Sequence, residues 1–493
     1  MVRDLEGTIG RNLSNTSFKK IRLFHDIPDI GAKWALGLRI ANNRLYDPFP
    51  CASPQRAMVA SLRGALMSEH QLFTKCALRL IPFMALLFLV NYIDRVNVGF
   101  AALTMNKDLG FSPAVYGFGA GVFFIGYVVF QVPANVILER VGARRVVFFI
   151  LATWGMFSAA CAFVQGPVSF YALRFILGVA EAGFFPGMIF YLTLWFPQAY
   201  RARYIAGFYS AVPLSFIVGG PLSGAILGMD GVVGLHGWQW LFLLEGLPAL
   251  VLALAVLKFL PDGPGDAPWL RSDEKMTIAQ RLAVEDVVKN RDLWSALRDP
   301  RVLVFGLGYF TILLSSYGTQ LWLPQMVQGM GFSNLATGFV VAAPFVVSMV
   351  ATILWARSSD RSGDRIWHII LPALVAATGF VIASLTQSNP LSLFALSIAL
   401  VGILGMQPPF FSLLSSFLGG TAAAGGIALV IAIGNLGGFL GPYMIGALKE
   451  QTGGYGASMG ALAAVMLSSA VIVLAVGRAI TPRPLLVTDA KVS

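Results

Sequence analysis

Long apolar segments constrain the fold of this chain more than any other feature. Twelve such segments recur along the sequence, and each is long enough for a helix of about 20 residues to cross a ~30 Å hydrocarbon core. Backbone groups in lipid must bond within their own segment, so we expect twelve transmembrane helices. The segments lie at 79–103, 114–138, 145–164, 169–192, 203–228, 238–260, 301–326, 333–357, 366–386, 391–415, 422–448 and 457–478.

Composition supports an all-α membrane protein. Hydrophobic residues make up 57% of the 493 residues and charged residues only 12%, whereas soluble domains carry about 25% charged residues. A water-soluble enzyme is therefore excluded. The 3 cysteines and 4 histidines show no metal-ligand spacing, so we expect neither a metal nor a cofactor.

The basic residues predict how the chain is oriented. They concentrate before the first segment, in every second connection and in the C-terminal tail, and only Lys107 and Lys449 fall in the opposite loops. By the positive-inside rule both termini face the cytoplasm, as expected for a multi-pass protein of the inner (plasma) membrane. The net charge of +11 is then a signal of topology, and we expect no nucleic-acid partner.

These segments divide the chain into five regions. We expect a polar N-terminal extension that lacks order, a six-helix half, a cytoplasmic linker, a second six-helix half and a cytoplasmic tail, at 1–78, 79–260, 261–300, 301–478 and 479–493. The middle of the linker forms either short amphipathic helices on the membrane surface or a solvated connection. The extension shows no signal peptide, and Met67 and Met58 are candidate translation starts.

An internal repeat supports two related halves. Residues 139–144 and 360–365 both fit [DE]-R-x-G-x-R, and each joins the second and third segments of its half. Glycine allows a tight turn between helices, and the charged side chains can pair with helix ends to latch the cytoplasmic side closed. The candidate gate residues are Glu139, Arg140, Gly142 and Arg144, with Asp360, Arg361, Gly363 and Arg365.

The chain has twelve such segments in two halves, and each half carries this loop motif. In this arrangement it resembles members of the major facilitator superfamily. Further stretches between about residues 72 and 480 resemble its anion:cation symporter family, which includes bacterial permeases for tartrate, phthalate, 4-hydroxyphenylacetate and sugar acids. These stretches are N-Y-I-D-R-V-N-V-G-F-A (91–101), R-F-I-L-G-V-A-E-A-G-F-F-P-G-M (174–188), Y-L-T-L-W-F-P (191–197), G-W-Q-W-L-F-L-L-E-G (237–246) and G-N-L-G-G-F-L-G-P-Y (434–443). One departure is Asn135, where the first loop motif of the superfamily usually starts with glycine.

Five ionisable residues lie inside the segments, where each is a candidate functional group because burying a charge in a membrane is costly. They are Asp94, Arg95, Arg174, Glu181 and Glu245. Their estimated depths predict that Asp94 pairs with Arg174 and that Glu181 lies near the midplane, on the same helix face as Arg174. A purely structural network, in which Asp94 neutralises Arg174 and Glu181 neutralises Arg95, is the alternative. For Glu245 we favour a structural role, holding helix ends through hydrogen bonds.

The family resemblance implies roles for three of these residues, and the arginine chemistry extends substrate binding to Arg174. In related symporters the matching aspartate and glutamate take up protons and the matching helix-1 arginine binds the substrate carboxylate. This assigns proton coupling to Asp94 and Glu181, and substrate binding to Arg95 and Arg174. The chemistry agrees, since a carboxyl group withdrawn from water is easier to protonate and arginine grips a carboxylate with two parallel bonds.

Neutral side chains complete the expected substrate site. Each is either a substrate ligand or a group that packs or bonds between helices. These candidates are Tyr92, Tyr127, Tyr317, Gln407 and Asn435.

Together these features predict a secondary transporter that imports a small organic anion with protons, by alternating access of two halves around a midplane site. The anion is a tartrate-like hydroxy acid, a sugar acid or an aromatic carboxylate. The main alternative is a proton-coupled efflux antiporter of the same fold; a channel and a membrane-embedded enzyme are weaker ones, and the sequence contains no recognisable catalytic constellation. Family habit implies a monomer.

Overall fold

The computed structural model describes residues 54–286, 300–417 and 422–480. Within these residues 12 helices are long and apolar enough to cross a membrane, and no strand occurs among them. The predicted all-α fold is therefore confirmed. The helices are numbered here as spans 1–12, over Glu69–Asp108, Pro113–Val141, Ala143–Phe163, Pro167–Trp195, Gly207–Met229, Gly237–Phe259, Pro300–Gln328, Asn334–Ser362, Trp367–Leu385, Asn389–Ser415, Gly426–Thr452 and Gly456–Ala475.

In ten of the twelve spans the α-helix is continuous, and each of these spans has its own helix. The α-helices of spans 1–3 and 6–12 are Pro54–Asp108, Pro113–Val141, Ala143–Ala160, Gly237–Phe259, Pro300–Gln328, Asn334–Ser362, Trp367–Leu385, Asn389–Phe417, Ala422–Thr452 and Gly456–Ile480.

Two spans are interrupted, span 4 near its middle and span 5 near its start. Span 4 consists of the helices Pro167–Glu181 and Phe184–Trp195, and span 5 joins Gln198–Tyr209 to Ala211–Ile226. Proline has no N–H and cannot donate to the carbonyl four residues earlier. At the first break, Pro186 cannot donate the usual helical hydrogen bond to the carbonyl of Ala182. At the second, Pro213 cannot donate it to the carbonyl of Tyr209.

The N-terminal boundary differs from the prediction. The chain divides into two compact units, 1–69 and 70–493, and all contacts described below lie within the second. The first helix begins at Pro54, so residues 54–78 of the expected disordered extension are helical. The rest of that extension, residues 1–53, lies outside the described part of the chain.

The described part of the linker, residues 261–286, contains one α-helix. Ser272–Asp286 is α-helical, and Nζ of Lys75 lies 2.8 Å from Oε2 of Glu274 within it. The lysine ammonium beside Glu274 lowers the pKa of that carboxyl. Trp269 stacks on Trp195 of span 4 with ring centroids 5.5 Å apart. These contacts attach the described part of the linker to the N-terminal half, whereas 287–299 lie outside the described residues.

The two halves close against each other on one side. This side, called here the Asp108 face, carries the end of span 1 and the start of span 2; the opposite side, where span 2 ends, is the Arg140 face. A Cβ atom added to Gly338 on span 8 would lie 2.2 Å from the carbonyl oxygen of Gly220 on span 5, and one added to Gly117 on span 2 would lie 2.5 Å from that of Pro442 on span 11. Only glycine permits such close backbone packing, so the structure is closed at the Asp108 face.

Candidate functional site

Five charged side chains are buried among the described residues, and all five belong to the N-terminal six spans. Arg95 is 6% exposed and Glu245 3% exposed, while Asp94, Arg174 and Glu181 are fully buried. The membrane-embedded charges predicted from sequence therefore lie in the interior of the protein, away from lipid.

Arg95 on span 1 and Glu181 on span 4 form an ion pair. Nη2 and Nε of Arg95 donate to Oε2 of Glu181 at 2.7 and 3.2 Å, and Nδ2 of Asn91 donates to the same oxygen at 2.8 Å. Glu181 is the last residue of the first helix of span 4. Its other oxygen, Oε1, has no hydrogen-bond partner. This pairing is the one expected from the alternative in which Glu181 neutralises Arg95 within a purely structural network.

Arg174 has unused hydrogen-bonding capacity. Its Nη2 donates weakly to the carbonyl of Ala120 at 3.5 Å, and its Nε and Nη1 have no partner. Its guanidinium carbon lies 5.0 Å from the ring centroid of Phe123, and that of Arg95 lies 5.3 Å from the same ring. The two arginines therefore flank one aromatic side chain on span 2, and Arg174 is a buried cation able to receive an anion.

The predicted Asp94–Arg174 ion pair is not formed in the described structure. Asp94 instead accepts hydrogen bonds from Nε1 of Trp154 and Oγ of Ser158 on span 3 and from Nδ2 of Asn97 at 3.0 Å. Arg174 points towards span 2, so equal depth in the membrane did not place the two side chains on facing sides of their helices. Three donors around one carboxyl group suit the ionised form of Asp94.

Glu245 links two spans of the N-terminal half. Its Oε1 accepts a hydrogen bond of 2.7 Å from Oγ of Ser223 on span 5, which agrees with the structural role favoured for it. Its Oε2 has no partner.

Neutral side chains connect the charged cluster to the C-terminal half. Tyr127 packs on the site, with its ring centroid 5.1 Å from the guanidinium carbon of Arg95. The four hydrogen bonds between halves at this level run from Arg95 to Tyr317 (3.5 Å), Tyr92 to Gln320 (3.2 Å), Tyr209 to Gln407 (2.6 Å) and Asn435 to Gln131 (3.4 Å). All five neutral candidates from the sequence thus lie at the junction of the halves.

Several site residues were missed by the sequence analysis, although helix periodicity pointed to them. Residues three or four apart share one helix face. Asn91 precedes Arg95 by four positions, Gln320 follows Tyr317 by three, and Gln131 follows Tyr127 by four. Phe123 precedes Tyr127 by four positions in the same way, whereas Tyr209 carried no such signal.

The repeated loop motif forms turns in both halves. Gly142 has φ 99° and Gly363 has φ 71°, backbone conformations that favour glycine. Nε of Arg144 donates to the carbonyl of Leu260 at 2.9 Å, and Arg365 pairs with Asp360 at 2.8 Å. Each of these contacts joins residues of the same half, so it stabilises the turn. A contact between the two halves at this motif, formed by Glu139, Arg140 and Arg361, stays a prediction. Asn135 stands where the first loop motif of the superfamily usually has glycine. Its Nδ2 donates a hydrogen bond of 2.7 Å to the carbonyl of Gln131.

Comparison with known proteins identifies the family. The model of the Major Facilitator Superfamily matches residues 84–442, so the chain belongs to that superfamily. It is a multi-pass membrane transporter and not an enzyme.

Relatives and a solved structure agree with this assignment. A candidate tartrate transporter of Agrobacterium vitis is 46% identical over 83% of this chain and 95% of that protein. A quinolone resistance transporter of Acinetobacter baumannii is 41% identical over 81% of this chain and 93% of that protein. The fold is similar to that of a bacterial homologue of the human lysosomal transporter Spinster, with a TM-score of 0.68 and 16% identity over 81% of this chain and 96% of that one.

Proposed function

We propose that this transporter imports a small organic anion together with protons, as an anion:cation symporter of the inner membrane with both termini in the cytoplasm. The observation that carries the proposal is Arg174, a buried guanidinium with two nitrogens that lack hydrogen-bond partners. A carboxylate can accept two parallel bonds from such a group. An unpaired buried cation is costly, so a bound anion would relieve the site.

The Arg95–Glu181 pair supports coupling between the anion and a proton. While Glu181 is ionised it occupies Arg95 through two hydrogen bonds. Protonation of Glu181 removes its charge and frees Arg95 to bind the substrate carboxylate. Anion and proton therefore favour the same state of the site, which is the requirement for symport. Glu181 loses its proton to the cytoplasm after the substrate leaves, and Arg95 then pairs with it again.

The C-terminal half supplies groups suited to the uncharged part of the substrate. Its buried polar side chains, among the described residues, are all neutral. Around the site they are hydroxyl and amide groups, including Tyr317, Gln320, Gln407 and Asn435, that can bond to hydroxyls. The substrate would therefore place its carboxylate on the N-terminal half and its hydroxylated or ring portion against the C-terminal half. The relative of 46% identity is named for tartrate, a hydroxy acid.

Transport by proteoliposomes tests the proposal. Candidate hydroxy acids, sugar acids and aromatic acids are first screened for thermal stabilisation of the purified protein. The ligands found are then offered as labelled substrates with an inward or an outward pH gradient. We expect accumulation only when the outside is more acidic, and little accumulation by Arg174→Met. The matched control is Arg271→Met, which changes an exposed arginine in the linker.

Efflux is the second candidate, because a relative with 41% identity is named for quinolone resistance. An antiporter would expel its substrate in exchange for entering protons. In the same vesicles it would deplete internal substrate when the outside is acidic. That result would replace import by efflux while leaving the binding site as described.

A further inference from the structure

Arg174 carries a charge that no hydrogen-bonded carboxylate balances within the described part of the chain. Its Nε and Nη1 have no hydrogen-bond partner, and its Nη2 reaches the neutral carbonyl of Ala120 at 3.5 Å. The side chain is fully buried. A cation in such a position is costly unless its surroundings compensate for the lost water. The empty site must therefore contain another group that stabilises this guanidinium.

The ring of Phe123 on span 2 is such a group. The guanidinium carbon of Arg174 lies 5.0 Å from the ring centroid, within the ~6 Å at which the face of an aromatic ring attracts a cation. Phe123 follows Ala120 by three positions, so the ring and the carbonyl come from one side of span 2. Arg174 is thus held against a single helix by one weak hydrogen bond and one aromatic face.

Close packing of spans 2 and 4 fixes the ring relative to the arginine. A Cβ atom added to Gly178, one helical turn after Arg174, would lie 1.9 Å from the carbonyl oxygen of Phe123. One added to Gly126 would lie 2.3 Å from that of Phe175. The side chain of Phe123 is itself fully buried. Water therefore does not screen the attraction between the ring and the guanidinium.

Arg95 contacts the same ring but has a carboxylate partner. Its guanidinium carbon lies 5.3 Å from the ring centroid, while its Nη2 and Nε donate to Glu181. The charge of Arg95 is balanced by that ion pair. The attraction of the ring consequently matters most for Arg174.

We propose that Phe123 is a positioning residue that compensates the charge of Arg174 while the site is empty. Its π face holds the guanidinium against span 2 until an anion arrives. A bound carboxylate neutralises the same charge, and the ring then contributes less. Phe123 thereby stabilises the empty site more than the occupied one and lowers the affinity for the anion. That Arg174 receives an anion rests on the proposed function.

Fluorination of the ring tests the compensation, because fluorine withdraws electrons from the π face and changes the ring size little. Phe123 is replaced by trifluorophenylalanine in the purified full-length protein without ligand. We expect the melting temperature to fall by about 1–4 °C. The matched control is the same replacement at Phe380, a fully buried phenylalanine of span 9, which should change the melting temperature less. An equal fall at both positions would show that Phe123 acts by packing, and the proposal would be wrong.

A double-mutant cycle with Arg174→Met assigns the effect to this arginine. Without the guanidinium, fluorination of Phe123 should lower the melting temperature by less than half as much. If fluorination lowers it equally with and without Arg174, the ring acts through packing or through Arg95, and the proposal is overturned.

A second measurement keeps Arg174 in place, and so protects the test against misfolding of Arg174→Met. The Kd of tartrate is measured by calorimetry for wild type and for the fluorinated Phe123 protein. Because fluorination destabilises the empty site more than the occupied one, tartrate should bind about 2–10 times more tightly to the fluorinated protein. An unchanged or weaker affinity would show that the ring does not favour the empty site.

These outcomes separate the inference from the proposed function. If the melting cycle shows the coupling while Arg174→Met binds and imports anions as wild type does, the compensation by Phe123 stands and the proposed anion site fails. If Arg174→Met loses import but fluorination of Phe123 leaves the melting temperature and the Kd unchanged, the anion site stands and the role of Phe123 fails. Absence of tartrate binding to wild type would exclude tartrate as the ligand, and the melting cycle would then decide.

Discussion

Glu450 on span 11 accepts a hydrogen bond of 2.7 Å from Oγ of Ser112, the residue that caps the start of span 2. The same carboxyl oxygen accepts a bond of 2.9 Å from the backbone N–H of Ala114. A carboxylate at the start of a helix is favoured because the free N–H groups there carry partial positive charge. A side chain of the C-terminal half thus caps a helix of the N-terminal half, and the Asp108 face must break this contact to open.

Glu450→Ala should therefore populate states that are open at the Asp108 face. Spin labels on Phe163→Cys and Leu385→Cys, exposed positions near the ends of spans 3 and 9, would report the distance between halves in a background without native cysteines. We expect a larger fraction of long distances in Glu450→Ala. Glu450→Gln keeps an acceptor oxygen and should shift the distribution less. Identical distributions in all three proteins would show that the cap does not stabilise the closed face.

Gly338→Val should prevent closure at the same face. Its Cβ would lie 2.2 Å from the carbonyl oxygen of Gly220, and overpacking of this kind costs roughly 1–3 kcal/mol. We expect uptake to fall about tenfold or more while the protein still folds in an open state. Gly228→Ala is the control, because nothing lies within 4 Å of the added atom. Normal uptake by Gly338→Val would mean that the halves need not approach so closely.

Arg95→Lys should impair transport although the charge is kept. Arg95 uses Nε and Nη2 together on Glu181, and a single ammonium group cannot reproduce this fork. One lost hydrogen bond to a charged group costs about 1.5–3 kcal/mol, so kcat/KM for uptake should fall at least about tenfold. Arg271→Lys provides the control in the linker. Equal kcat/KM in the two variants would remove Arg95 from the substrate site.

Replacing the proposed coupling acids, Glu181 and Asp94, should separate accumulation from exchange. Glu181→Gln cannot cycle between charged and neutral forms, so it should lose uphill accumulation driven by a pH gradient. It should retain downhill counterflow, because the amide resembles the protonated acid and leaves Arg95 free. We expect Asp94→Asn to lose accumulation too. Both activities are measured on the same proteoliposomes, and if both variants still concentrate substrate, sodium coupling or facilitated diffusion becomes the better account.

The sequence predicted the membrane architecture because span length and hydrophobicity are local properties. The 12 spans lie where the apolar segments do, and several helices extend past the predicted ends, as in span 1, which continues to Asp108. The break after Glu181 was not anticipated, since a proline within a membrane helix can also leave it continuous, as Pro133 does in span 2.

The partners of charged residues were harder to predict, because depth along a helix does not fix which way a side chain points. Asp94 and Arg174 were matched in depth, yet Asp94 turns to Trp154 and Ser158 on span 3. Neutral amides were missed for a different reason. Gln131 and Gln320 are uncharged, and an amide in a membrane helix is often satisfied by hydrogen bonds between helices. Their presence alone therefore carried no signal, and only their spacing from neighbouring candidates did.

The unequal distribution of buried charge has a consequence for inhibition. The buried charged side chains of the described residues all belong to the N-terminal half, whereas the C-terminal half offers hydroxyls and amides. An uncharged polyol could satisfy those hydroxyls and amides without engaging either arginine. Under the proposed mechanism such a molecule would occupy the junction of the halves but leave Arg95 bound to Glu181, so it would act as a competitive blocker that is itself not carried across the membrane.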